Sequence, residues 1–242
     1  MFCFRDTFGS VEIAFTDRHG GVSSPPFDTL NLGAAPGDSP EDVEHNYEIL
    51  ARELDTDPGT VARMHQMHDA EVAVLRQAPP PGSPPRVDAL VTDVPGLVIS
   101  ARVADCVPVL LADPEAGVVG CAHAGRSGMA AGVVPNTVRG MRELGADRIT
   151  AWVGPYVCGA CYEVPEAMQA DVVAAVPASR SMTSWGTPAL DLGAGVESQL
   201  REAGCSVTGF GSWCTRETPD LYSHRRDGPM TGRSAGLVRI RR

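Results

Sequence analysis

Two apolar runs separated by a single turn constrain this chain more than any other feature. Val107-Pro108-Val109-Leu110-Leu111-Ala112 is followed by Asp113-Pro114-Glu115-Ala116-Gly117 and then by Val118-Val119-Gly120-Cys121-Ala122-His123. Runs this short and this apolar, bounded by turn residues, predict buried strands. Pro108 stands near a strand start, where proline is tolerated, and the Asp-Pro…Gly segment predicts the turn. Further strands are predicted at Glu71–Leu75, Ala89–Thr92, Leu97–Ser100 and Ile149–Val153. Asp38 or Ser39 is placed to cap a helix with Pro40 in its first turn, and Val43, Tyr47, Leu50 and Leu54 follow at helical spacing. A second helix is predicted to start after Ala124-Gly125-Arg126-Ser127-Gly128 and to run to Leu144, stopped by Gly145. The expected class is α/β (α+β): a mixed, partly antiparallel sheet under helices.

A chain of 242 residues with 43% hydrophobic content predicts one domain spanning residues 1–242. Its formal net charge of -10 excludes a nucleic-acid polymer as partner, because phosphate neutralisation needs a basic face. A single nucleoside or phosphate in a local pocket stays open. All 20 basic residues are Arg. A Schiff-base lysine, a lysine general base and a phosphate-loop lysine are therefore excluded, and a cationic side chain holding an anion must be Arg or His. The concentrated basic runs are Arg225-Arg226 and Arg239-Ile240-Arg241-Arg242, the second expected to be a solvated tail. Seven irregularly spaced cysteines in a chain of this size predict free thiols in a reducing compartment. With no apolar leader and no apolar run of membrane-spanning length, the expected location is the cytoplasm, with no membrane partner. Ala78-Pro79-Pro80-Pro81-Gly82-Ser83-Pro84-Pro85 predicts an extended surface loop.

The hairpin brings chemistry together. Symmetric closure about Glu115 sets Val107 opposite His123 and Cys106 opposite Ala124, on strands ~4.8 Å apart. A thiol and an imidazole at one end of a hairpin have three readings: two ligands of a catalytic zinc, a nucleophile with its base, or a buried thiol beside an ordinary histidine. A third ligand would come from His19, His45, His65, His68 or His224, and Met64-His65-Gln66-Met67-His68 offers two that spacing does not separate. Cys158-Gly159-Ala160-Cys161 has no second C-x-x-C to pair with, so a plain loop without metal is expected. Cys121 is expected to be a core thiol.

At these residues the sequence resembles the bacterial YfiH family, also called the laccase-domain or polyphenol oxidase family. The matching segments run in order: Thr16-Asp17-Arg18-His19-Gly20-Gly21-Val22-Ser23, Leu30-Asn31-Leu32-Gly33, Gln66-Met67-His68, Asp88-Ala89-Leu90-Val91-Thr92, Ala104-Asp105-Cys106-Val107-Pro108 and His123-Ala124-Gly125. Gly154-Pro155, Cys161-Tyr162-Glu163-Val164, Asp191-Leu192, Cys214-Thr215 and Ser223-His224-Arg225-Arg226 complete the series. The resemblance implies a layered α/β/β/α sandwich related to a cysteine-hydrolase toxin domain. It implies a zinc held by His68, Cys106 and His123, with a fourth position open to water or substrate. It also implies phosphorolysis of adenosine, inosine, guanosine and methylthioadenosine, and deamination of adenosine. The chain departs from the family pattern at Arg126-Ser127, where Trp-Arg is usual, at Asp69, where Gly is usual, and at Val103, where Thr is usual.

The expected catalytic residues are His68, Asp105, Cys106 and His123. Arg18, Asn31, Arg126 and Arg225 are expected to meet a purine nucleoside and phosphate. Each Arg has surface salt-bridging as its alternative, and Asp105 has a structural cap. A cysteine hydrolase with Cys106 as nucleophile and His123 as base is the alternative enzyme, and some members of the family are implicated in editing peptidoglycan precursors. A non-enzymatic metal or nucleotide sensor is the alternative of another class. Copper at the Cys–His pair would account for weak phenol oxidation, but 6 His in total cannot build a multicopper cluster. A monomer or small homo-oligomer is expected.

Overall fold

The computed structural model describes residues 1–33, 37–80, 82–209 and 213–241. Along the chain these form β1 (Phe2–Phe8), β2 (Val11–Thr16), α1 (Pro40–Glu53), β3 (Val61–Ala62), β4 (Val72–Val74), β5 (Ala89–Thr92) and β6 (Val98–Val103). There follow β7 (Val107–Asp113), β8 (Val118–Ala124), α2 (Arg126–Ala131), α3 (Val133–Glu143), β9 (Thr150–Val153), α4 (Glu166–Ala175) and β10 (Arg180–Met182). The chain ends with β11 (Pro188–Leu190), α5 (Leu192–Glu202), β12 (Ser206–Gly209), α6 (His224–Asp227) and β13 (Ser234–Ile240). A five-stranded sheet has the order β1-β2-β13-β6-β3, and a six-stranded sheet the order β12-β9-β7-β8-β5-β4.

The central hairpin shows how the layers stack. Side chains alternate between the two faces of a strand. Val107, Val109 and Leu111 of β7 face a core shared with Val134, Val138 and Met141 of α3 and Val196 and Leu200 of α5. Leu110 and Ala112 face the other way, into a core shared with Ile13 and Phe15 of β2, Ile99 of β6 and Val238 of β13. Cys121 of β8 lies in this second core and is fully buried. On the far side of the five-stranded sheet, Val43, Tyr47 and Leu50 of α1 pack on Ala14, Val98 and Leu237. The order of layers is helix, sheet, sheet, helix, as the family resemblance implied. Ser39 caps α1 by accepting a hydrogen bond from Asp42 N–H, as expected from its position before Pro40.

Three expectations are corrected. The hairpin pairs Val107 with Ala124 and Pro108 with His123, one residue away from the symmetric register. The Asp113 carboxylate accepts hydrogen bonds from the N–H groups of Glu115 and Ala116, so the loop is Pro114–Gly117 and its centre lies past Glu115. The second helix is two helices, broken where Gly132 takes a left-handed φ of 90°. The C-terminal basic run is not a tail. Arg239 and Ile240 lie in β13, where Ile240 pairs with Val11 and Arg239 holds Glu12 across the sheet, while Arg242 lies outside the described residues. The proline-rich stretch is loop as expected, with Pro81 outside the described residues. No helix among the described residues is long and apolar enough to cross a membrane.

Candidate metal centre

Two of the three expected ligands lie where the chain crosses from one sheet to the other. His68 is in the segment leading from β3 to β4, and Cys106 in the segment leading from β6 to β7. His123 is the penultimate residue of β8. The ligand atoms of the three residues all lie within 4.8 Å of one another, and the two imidazoles meet edge to face with centroids 4.7 Å apart. His65, the alternative spacing left open, is not part of this group. Gly125 makes the convergence possible. A Cβ there would come within 2.8 Å of His68 Cδ2 and 3.2 Å of Cys106 Sγ.

One carboxylate organises two ligands. Asp88, fully buried at the start of β5, accepts a 2.7 Å hydrogen bond from His123 Nδ1 on one oxygen. Its other oxygen accepts from the N–H groups of Met67 at 2.8 Å and Asp69 at 2.9 Å, the residues on either side of His68. That grip matches the left-handed φ of 61° at His68, uncommon for a residue with a side chain. With Nδ1 of His123 donating to Asp88, its Nε2 carries the lone pair toward the cavity, the arrangement usual for metal-bound histidines. Burial alone would raise the Asp88 carboxyl, but the bonds from His123, Asp69 and Met67 hold it well below the ordinary carboxylate range. Burial lowers His123, aided by His68 and against the pull of Asp88, which favours the neutral imidazole a metal requires. Burial, with the neighbouring Asp105 charge, pushes the Cys106 thiol up to about 12. Such a thiol is a poor nucleophile on its own, and a bound cation is what draws it to thiolate. Two imidazoles and one thiolate are a donor set that suits zinc with an open fourth position.

Asp105 lines the cavity beside Cys106, and its carboxylate is held by its neighbours. Its carboxylate accepts hydrogen bonds from Thr215 Oγ1 at 2.6 Å, Ser223 Oγ at 2.7 Å and Arg225 N–H at 2.6 Å. Together with its left-handed φ of 85°, these bonds fix the backbone that presents Cys106. Of its two sequence readings, the structural cap matches this geometry.

The three ligands open into a cavity of about 530 Å³, within the range of small-molecule sites. Arg102, Arg225 and Arg233 line it, with His65, Gln66, Tyr162 and His224. Arg225 stacks over the Tyr162 ring at 4.4 Å, and burial lowers Arg233 from the ordinary guanidinium range. Of the four expected substrate-binding residues, Arg225 alone lines the cavity. Arg18 does not: its Nε–H donates to Asp28 O at 2.8 Å and its guanidinium lies over Tyr222 at 4.8 Å. Arg126 opens α2 and does not line it either. Asn31 is fully buried and acts on the cavity wall indirectly, its Oδ1 accepting from Gly33 N–H at 2.9 Å and Arg233 N–H at 2.8 Å. Sequence reasoning missed Asp88, Arg102, Arg233 and Tyr162. Asp88 and Tyr162 lie inside family-like segments. Arg102 and Arg233 had as their signal the rule that a chain without Lys must use Arg.

The fold and this site define a laccase-like protein of the YfiH type. The chain belongs to the family described as multi-copper polyphenol oxidoreductase laccase, which it matches over residues 12–241. It is 54% identical over 237 residues to a Streptomyces coelicolor protein named purine nucleoside phosphorylase, covering 97% of each chain. It is 45% identical over 231 residues to a Corynebacterium glutamicum protein of the same name, covering 94% of each. Among solved structures, YfiH from Bacillus licheniformis matches with a TM-score of 0.86 at 28% identity, over 96% of this chain and 93% of that one. A Neisseria meningitidis protein matches at 0.87 and 31% identity, over 99% of both.

Proposed function

We propose that this chain is a metal-dependent purine nucleoside phosphorylase that also deaminates adenosine, with zinc held by His68, Cys106 and His123. The observation that carries the reading is one cavity with a His–Cys–His group beside three arginines, in a chain closely similar to proteins of that name. Zinc bound there supplies Lewis-acid chemistry, which hydrolytic deamination at purine C6 requires.

The protein's own groups account for the rest. A guanidinium fork matches a phosphate edge with two directional hydrogen bonds. Arg102, Arg225 and Arg233 are therefore the phosphate-binding candidates, in place of Arg18 and Arg126. In phosphorolysis the phosphate oxygen forms the new bond to C1′ as the glycosidic C–N bond breaks and its electrons pass to the base. The sugar is oxocarbenium-like between these events, so an anion fixed beside it lowers the barrier electrostatically. Tyr162 lines the cavity beneath Arg225, so the stacked pair is the candidate contact for the purine. His65 and His224, both on the cavity wall, are placed to pass a proton to the departing base. The raised Cys106 thiol disfavours the cysteine-hydrolase alternative.

Zinc-loaded protein should release free base from adenosine or inosine in a phosphate-dependent manner, with ribose 1-phosphate as co-product, followed by chromatography. No base release beyond a Cys106→Ala control, across several purine nucleosides, would overturn the reading.

A further inference from the structure

The C-x-x-C pair was expected to be a plain loop because no second pair follows it. The fold supplies what the sequence order hides. Cys158, Cys161, Cys214 and Glu217 bring one ligand atom each to within 4.8 Å of all the others. Ligands on a tetrahedral zinc, at roughly 2.3 Å for sulfur, lie roughly 3.8 Å apart, so small side-chain movements would close this group on an ion. We propose that Cys158, Cys161, Cys214 and Glu217 form a second, structural zinc site, separate from the His68–Cys106–His123 group.

Three observations support it. First, the backbone is already folded as a ligand turn. Cys158 O accepts from the N–H groups of Cys161 at 2.9 Å and Tyr162 at 3.0 Å, and Cys214 O accepts from those of Glu217 at 3.1 Å and Thr218 at 2.9 Å. Each tight turn brings its two ligands to the same side. Second, Cys158 N–H points at Cys214 Sγ at 3.4 Å, which ties the two turns together at the sulfurs. All seven cysteines are free thiols, so no disulfide competes in this arrangement. Third, a carboxylate joins the sulfurs. Cys161 and Cys214 are buried with Val157 in a small cluster, which thiols alone can do as ordinary apolar groups. Glu217 is exposed and closes the group from the solvent side, where a divalent cation with three thiolates would take its fourth ligand.

The position defines the purpose. Tyr162, next to Cys161, lines the cavity beneath Arg225, and Thr215, next to Cys214, donates to the Asp105 carboxylate that fixes Cys106. An ion at this point ties the loop that carries the cavity residue Tyr162 to the loop whose Thr215 holds Asp105, from residues far apart in sequence.

The test is metal analysis of protein purified without chelator. Two zinc ions per chain are expected in the native protein, one in Cys106→Ala, one in Cys214→Ser and none in the double variant. Cobalt loading of Cys106→Ala, whose four cluster residues are intact, should give intense thiolate-to-cobalt charge-transfer bands and tetrahedral d–d bands. This measurement does not depend on whether a cluster variant folds. Cobalt-loaded Cys106→Ala without a thiolate charge-transfer band would overturn the proposal, as would a disulfide joining any two of Cys158, Cys161 and Cys214 in the purified protein. Failure of phosphorolysis with two zinc ions bound would count against the proposed function and leave this site standing.

Discussion

Replacing Asp88 with Asn changes one atom and sets two requirements against each other. The carboxylate now accepts from His123 Nδ1 on one side and from the Met67 and Asp69 N–H groups on the other. An amide has one oxygen for these two sides. Turned toward His123, its NH2 would face two backbone donors, leaving buried groups unsatisfied at ~1–3 kcal/mol each. Turned toward the backbone, it keeps the His68 loop and sets its NH2 against Nδ1. His123 must then move its proton to Nε2, the nitrogen a metal needs. The second arrangement keeps its hydrogen bonds once the proton has moved, where the first loses two, so Asp88→Asn should fold and fail as a metal centre. Loss of such an orienting partner lowers metal affinity about 10–100-fold, close to the ~1.5–3 kcal/mol of a hydrogen bond to a charged group. Competition with a chromophoric chelator measures the affinity, and nitrogen chemical shifts of the metal-free imidazole report the tautomer. Zinc binding within about twofold of the native protein, with Nδ1 still protonated, would refute the reasoning.

Gly125→Ala should cut zinc occupancy sharply with little loss of secondary structure by circular dichroism, because the added methyl meets two ligand side chains and not the core. Arg102→Ala or Arg233→Ala should raise the KM for phosphate by roughly 10-fold or more, the worth of one charge-assisted hydrogen bond. Arg18→Ala should leave that KM unchanged and lower the melting temperature, since its bonds go to Asp28 and its ring contact to Tyr222. The pH dependence follows from Cys106. A thiol pushed up to about 12 still carries its proton at neutral pH, and zinc must displace it. Apparent zinc affinity should therefore rise about tenfold per pH unit between roughly pH 7 and 9, and this slope should vanish in Cys106→Ala. Metal-free protein should lose stability as pH falls below about 6.5, because His123 is lowered when folded and the unfolded chain takes up the proton first.

The strands whose side chains are apolar on both faces were legible from sequence, as was the cap of α1. The register of the central hairpin was legible to within one residue, and the error came from Asp113, whose carboxylate closes a four-residue loop where symmetry implied five. The N-terminal hairpin and β13 were not legible. β1 is largely exposed, and Arg239 in β13 looks like a basic tail until Glu12 is seen beside it. Family resemblance chose His68 over His65, and the structure gives the reason. Only a left-handed residue held between two N–H groups bound to Asp88 turns its ring to His123, and no local pattern announces that conformation. The misplaced arginines show the same limit. Charge type follows from composition, but which guanidinium faces the cavity depends on sheet packing.

Because His68 and Cys106 sit on the crossings between the two sheets, and His123 on a strand end, the candidate centre is a joint of the sandwich. Neither sheet alone contains the metal centre. His123 belongs to the six-stranded sheet, whereas Cys106 and the Met67 and Asp69 N–H groups that Asp88 holds belong to the crossings. A zinc held by the three residues would bridge both crossings and the end of β8. Such an ion would report on the seam of the sandwich as much as on the cavity above it.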